Sequence, residues 1–182
     1  MLTHTPPFRF NAYQPILSGR PKGKKIFKDL MAHLARCPVS TRVPLDFSGV
    51  EFLDISCADE FLSRLILRLR SGEIEEQFLF VREVSASVRE TIDAVLRLRG
   101  LAVLCEGHDG FSLLGEVKRP VQEALTLLMQ RKRLTSADLA RELNKTLTNA
   151  CNRLTSLQKM GLACRVKEEG IAGRQYYYES IL

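Results

Sequence analysis

The chain has 182 residues, of which 45% are hydrophobic and 26% charged, enough apolar content to bury the core of one large domain or two small ones. No run of about 18 apolar residues occurs, so no membrane-spanning helix is expected. The net charge of +6 is uneven: residues 1–115 hold 15 Lys/Arg against 14 Asp/Glu, and residues 116–182 hold 12 against 7, so the basic excess that attracts phosphate backbones sits in the C-terminal third.

The polar N-terminus, MLTHTPPFRFNAY, lacks the apolar block of a signal peptide, which leads to the expectation of a cytoplasmic protein. Phe8–Leu17 reads as one strand or as a short hairpin broken at Asn11 and Pro15. Gly19–Lys25 is a basic loop carrying Arg20, Lys22, Lys24 and Lys25; its glycine spacing does not match a phosphate loop, and a solvated loop is expected. Ile26, Phe27, Leu30, Met31 and Leu34 recur at helical spacing and predict a helix over Lys22–Arg36. Val43–Phe47 is a short buried strand in which Pro44 is awkward, because proline has no N–H for the ladder. A helix over Cys57–Arg70, a strand over Gln77–Val81 and a helix over Ser87–Arg97 follow. Next comes a strand over Leu101–Cys105, beside which Gly110–Leu114 can pair. Strands alternating with helices predict an α/β domain with a mixed sheet over residues 1–115.

Within this half, Leu45–Leu62 reads LDFSGVEFLDISCADEFL. The stretch resembles the STAS domain, named for sulfate transporters and anti-sigma factor antagonists. It is similar above all to the STAS-like group in which a strand, an SGV turn and a helix beginning Ser-x-Ala-Asp-Glu-Phe follow in order, here Ser56–Phe61. In anti-sigma factor antagonists a serine at this helix start is phosphorylated by a partner kinase. The resemblance therefore implies Ser56 as a phosphorylation site and a kinase or anti-sigma type protein as partner. The chain departs from the antagonist pattern at Ile55 and Cys57. The other reading of Ser56 is an N-cap, with Asp59 completing a capping box.

Gly115–Pro120 is the expected joint to a second domain over residues 116–182. Val121, Ala124, Leu125, Leu127 and Leu128 predict a helix to about Gln130, closed by the cations Arg131, Lys132 and Arg133. Thr135 is placed to cap the next helix, with Asp138 three residues on. Asn144-Lys145 turns the chain, and Thr146 or Thr148 caps a helix running to about Met160. In that helix Ala150, Cys151, Leu154 and Leu157 are expected inside. Thr148, Asn149, Asn152, Arg153 and Ser156 are expected on the opposite face, which has no acidic residue and could touch base edges and phosphates. Gly161 is the expected helix stop. Ala163–Lys167 and Arg174–Tyr178 then form a hairpin, with Lys167 and Arg174 placed to grip phosphate. Helix, turn, helix, hairpin is similar to winged helix-turn-helix transcription regulators. The resemblance implies an α+β winged helix contacting double-stranded DNA through Thr148, Asn149, Asn152, Arg153, Lys167 and Arg174, commonly as a homodimer on palindromic sites.

Two functions follow as expectations. In the first, a DNA-binding transcription regulator uses its STAS-like domain to sense or bind a partner. In the second, a protein-interaction switch of the anti-sigma antagonist type is controlled through Ser56 without touching DNA. An enzyme is not expected, because no carboxylate pair with a supporting histidine, nucleophile elbow or phosphate loop is present. No cofactor is expected. Cys37, Cys57, Cys105, Cys151 and Cys164 are scattered without a Cys-x-x-Cys pair, which argues against a zinc site and for free thiols.

Overall fold

The computed structural model describes residues 3–74, 77–108, 110–170 and 173–182, with side chains for all of these except 3, 4, 170, 173 and 174. The chain divides into two compact units, Met1–Glu116 and Val117–Leu182.

The first unit is an α/β layer built on a parallel-dominated sheet. Two short strands, β1 (Thr3–His4) and β2 (Phe8–Arg9), precede a single 3-10 turn (Phe10–Tyr13) and β3 (Ile16–Leu17). Phe8–Leu17 is thus neither one strand nor a hairpin. Helix α1 spans Arg20–Leu34, so the expected basic loop is its first turn: Gly19 (φ 83°) stands at the N-cap and Pro21 lies in the opening turn. Strand β4 (Thr41–Asp46) leads to β5 (Phe52–Leu53), which pairs with β3. One helical run follows: α2 (Ile55–Ala58), a π turn over Asp59–Ser63 and α3 (Arg64–Ser71). Strand β6 (Gln77–Arg82), α4 (Ala86–Leu98), β7 (Ala102–Gly107) and β8 (Gly110–Gly115) complete the unit.

Strands β4, β6 and β7 run parallel in that order, and β8 closes one edge antiparallel to β7. Each crossover steps the same way along the sheet, so the handedness rule puts the connecting helices on one face. Val43, Leu45, Leu79, Val81 and Val103 from the strands meet Ile26, Leu30, Phe61, Leu65 and Ile92 from the helices in one buried cluster. Pro44 fits because the ladder is broken beside it: β1 pairs with Thr41 and Arg42, and β2 with Leu45 and Asp46. The Arg42 carbonyl accepts from Thr5 N–H, so by the two-residue repeat the missing Pro44 N–H faces the gap between β1 and β2.

The second unit runs α5 (Arg119–Arg131), β9 (Arg133–Leu134), α6 (Ser136–Glu142), α7 (Leu147–Lys159), β10 (Ala163–Gly170) and β11 (Gly173–Ser180). Its antiparallel sheet has the order β10-β11-β9. Arg131, Lys132 and Arg133 do not all serve to close α5: only Arg131 lies in its last turn. Lys132 takes φ 65° and ends it, and Arg133-Leu134 pair with Glu179 and Tyr178. The Thr135 hydroxyl accepts from the Asp138 N–H while the Asp138 carboxylate accepts from the Thr135 N–H, a complete capping box. Asn144 (φ 49°) makes the turn, Thr146 rather than Thr148 caps α7, and Gly161 (φ 73°) ends the chain's last helix in the left-handed region. Leu125, Leu128, Leu139, Leu154, Leu157 and Tyr178 are among its buried side chains. Among the described residues no helix is long and apolar enough to cross a membrane, and all five cysteines are free.

Candidate functional site

The start of α2 is organised by Asp54, not by Ser56. The Asp54 carboxylate accepts from the Cys57 N–H at 2.6 Å and the Gly19 N–H at 2.7 Å. It also accepts from the Ser56 hydroxyl at 2.9 Å and from the Ser18 hydroxyl. One carboxylate therefore caps α2 and ties in the start of α1. Burial alone would raise its pKa; the hydrogen bonds from Ser18, Cys57, Gly19 and Ser56 outweigh burial and bring it down to about 2. Ser56 is half-buried, in the first turn of the helix, and its hydroxyl donates to that anion. The expected Ser56 cap with Asp59 is thus corrected: Asp59 instead pairs with Arg99 at 2.6 Å. A phosphate on Ser56 would stand against the Asp54 carboxylate, a like-charge contact. Burial and the Asp54 charge push the Cys57 thiol up to about 12, so it is no nucleophile at neutral pH.

A cleft of about 660 Å³ opens where β4, β6 and β7 end, lined by Phe47, Ser48, Glu83, Ser85, Glu106 and His108 among others. Its size lies within the range of small-molecule sites, and it lies outside the carboxyl ends of these three parallel strands. Sequence reading missed it, because the three loops that form it are far apart in the chain and share no motif.

In the second unit, Thr148, Asn149 and Asn152 all lie exposed on α7. Helical spacing sets Thr148 beside Asn152, and Asn149 beside Asn152. Leu147, the first residue of the helix, is 57% exposed. No Asp or Glu occurs from Leu143 to Lys167, and Lys145, Lys159 and Arg165 in that stretch enter no ion pair among the described residues.

Arg153 is a correction. It was expected on the exposed face, yet it is 8% exposed, with its guanidinium donating to the Pro120 carbonyl and the Glu123 carboxylate, both at 3.0 Å. It is a strut between α5 and α7. The signal was in the chain: Ala150, Arg153, Leu154 and Leu157 share the three-four spacing of one inward stripe.

On the hairpin, Lys167 is exposed but lies 3.5 Å from the Glu169 carboxylate, which offsets its charge. The Arg174 backbone belongs to β11; its side chain lies outside the described residues. Two arginines are held on tyrosine rings: Arg165, which the sequence pattern does not single out, on Tyr176 at 3.7 Å, and Arg133, expected only to close α5, on Tyr177 at 3.8 Å. Arg133 is also neutralised by Glu168 and Glu179. Arg165 is exposed and meets no carboxylate among the described residues, so of the described hairpin side chains it is the cation best placed to meet an anion.

In comparisons with known proteins, no family model matches this chain, and no curated protein matches it.

Proposed function

We propose that the chain is a DNA-binding transcription regulator in which a winged helix-turn-helix, residues 117–182, contacts duplex DNA and a STAS-like α/β unit binds a small ligand or a partner protein. The observation that carries the reading is the exposed face of α7, where Thr148, Asn149 and Asn152 stand in a stretch with no acidic residue. Those side chains have the hydrogen-bonding groups that read base edges. The order helix, short strand, helix, helix, hairpin, with the three-stranded sheet β10-β11-β9, supports the winged-helix assignment. The LDFSGV strand-turn and the Ser-x-Ala-Asp-Glu-Phe helix start support the STAS-like one. The cleft beside Glu83 and His108 gives the α/β unit room for a ligand. Operator-binding winged helices commonly act as two-fold dimers, so a cytoplasmic homodimer on paired half-sites is part of the proposal.

The test is fluorescence anisotropy with labelled genomic duplexes across a salt series. Binding that weakens with a log–log slope of about −0.9 per phosphate neutralised is expected. Substituting Asn152 by Ala lowers affinity without lowering the melting temperature. Negligible affinity at low salt for every fragment overturns the proposal.

A further inference from the structure

With Arg153 turned inward, the face that α7 offers has an unusual inventory. The commonest specific contact to DNA is an arginine or lysine on the N7 and O6 of guanine, and no such side chain stands on the exposed first two turns of α7. Lys145 precedes the helix, in the turn. Lys159 lies in its last turn, about 15 Å along the axis from Asn149 at 1.5 Å per residue. What the first two turns expose is Leu147, Thr148, Asn149 and Asn152. The Asn149 backbone N–H is taken by the Thr146 cap, but neither the Asn149 nor the Asn152 side-chain amide is engaged by another described residue. An asparagine amide matches the N6 donor and N7 acceptor of adenine, and an apolar side chain matches the 5-methyl of thymine. Leu147 is the large apolar side chain at the start of this helix, and its 57% exposure leaves it open to such a contact.

We infer that α7 selects A·T base pairs through the major groove, with Asn149 and Asn152 on adenine and Leu147 against the thymine methyl. The inference rests on the DNA-binding reading above and deepens it from duplex DNA in general to a class of site. Lys145 and Arg165, one before the helix and one on the hairpin, supply backbone charge and carry no base preference.

Four duplexes of equal length separate the alternatives: alternating A·T, alternating A·U, alternating I·C and alternating G·C. The A·U duplex lacks only the thymine methyl. The I·C duplex keeps the G·C pattern in the major groove but lacks the guanine 2-amino group, so its minor groove resembles A·T. The full chain is titrated against each at one low salt concentration. The expected order is A·T tightest; A·U weaker by roughly three- to five-fold, the worth of one buried methyl; and I·C and G·C weaker than A·T by roughly ten-fold or more. Leu147→Ala, at an exposed position, keeps the wild-type melting temperature and binds A·T and A·U equally. G·C bound as tightly as A·T overturns the inference. So does I·C bound like A·T, because the preference would then be a minor-groove one. A·U bound like A·T by the wild type removes Leu147 and overturns it as stated. Failure of all four duplexes to bind is a different result, and it sinks the DNA-binding reading itself.

Discussion

Two basic stretches, Gly19–Lys25 and Leu143–Lys167, look alike as sequence and are used differently. The first packs Arg20, Lys22, Lys24 and Lys25 around the start of α1. There Arg20 lies 3.4 Å from the buried Glu60 carboxylate, the Lys22 ammonium donates to the Ile16 carbonyl, and Lys25 stands over the Tyr13 ring. The Gly19 N–H at the head of that helix is taken by Asp54, the same carboxylate that caps α2. Among the described residues, only Arg153 and Lys167 of the second stretch meet a carboxylate, and the exposed polar face of α7 meets none. The difference teaches that basic residues at a helix start indicate an anion site only when the fold brings no anion of its own. At the start of α1 it brings Asp54 and Glu60; on the exposed face of α7 no described carboxylate is supplied, Glu123 being engaged by the buried Arg153.

The largest test of that contrast is Asp54→Ala. It removes the cap of α2 and the acceptor for the Gly19 N–H together, and about 3 kcal/mol of stability is expected to go with them, read by urea unfolding. DNA affinity at neutral pH, measured under conditions where the variant is folded, is expected to be unchanged. A drop in affinity would mean that the first stretch also serves the nucleic acid. Acid titration sharpens the point. The Asp54 pKa is lowered from 3.8 to about 2 in the folded chain. A depressed carboxyl contributes stability that is complete above the unfolded value and is lost as pH falls toward the folded one. The contribution is therefore present above pH about 4 and disappears toward pH about 2. Asp54→Asn should flatten that part of the acid-unfolding curve, and an unchanged curve would contradict the assigned network.

The second test concerns Arg153, the cation of the second stretch that the fold keeps for itself. Arg153→Met fills the space but leaves the Pro120 carbonyl and one face of Glu123 without a donor. Because Glu123 is partly exposed and also lies 3.6 Å from Arg119, the expected loss is about 2 kcal/mol, below that of a fully buried pair. Affinity of the folded variant for DNA, and its salt dependence, should not change. A salt slope shallower by about 0.9 would instead place the guanidinium on a phosphate.

Much of this fold can be read from the chain because it rests on repeated apolar spacing. Helices α1, α4, α5 and α7 and strands β4, β6, β7 and β8 all carry periods that the structure keeps within a few residues. The elements that escape are short and held from a distance. Strand β9 has two residues, and its partners, Tyr178 and Glu179, lie more than forty residues on. Which of Asp54 and Ser56 caps α2 is settled by Gly19 and Ser18, which approach from another part of the unit. Arg153 departs from its expected face because a guanidinium counts as polar in any pattern, while its burial depends on Glu123 and Pro120, supplied by a different helix. Local spacing is written in the sequence; the partner that completes a charge is written elsewhere in it.

The smallest expected effect separates two cations on one hairpin strand. Lys167 and Arg165 are two residues apart on β10 and so point to the same face. Charge alone would rank them equal. Lys167, however, faces Glu169 at 3.5 Å, and an exposed pair of this kind keeps little net charge to offer. Arg165 stands over the Tyr176 ring at 3.7 Å, which fixes the guanidinium without neutralising it. Arg165→Ala is therefore expected to weaken DNA binding by roughly three- to five-fold and to reduce the salt slope by about 0.9, the signature of one lost phosphate contact. Lys167→Ala is expected to change affinity by less than about two-fold, and Glu169→Gln, which unmasks the lysine, to strengthen binding slightly. If Lys167→Ala proves the more damaging of the two, the pair with Glu169 opens on binding, and the ammonium rather than the ring-held guanidinium holds the backbone.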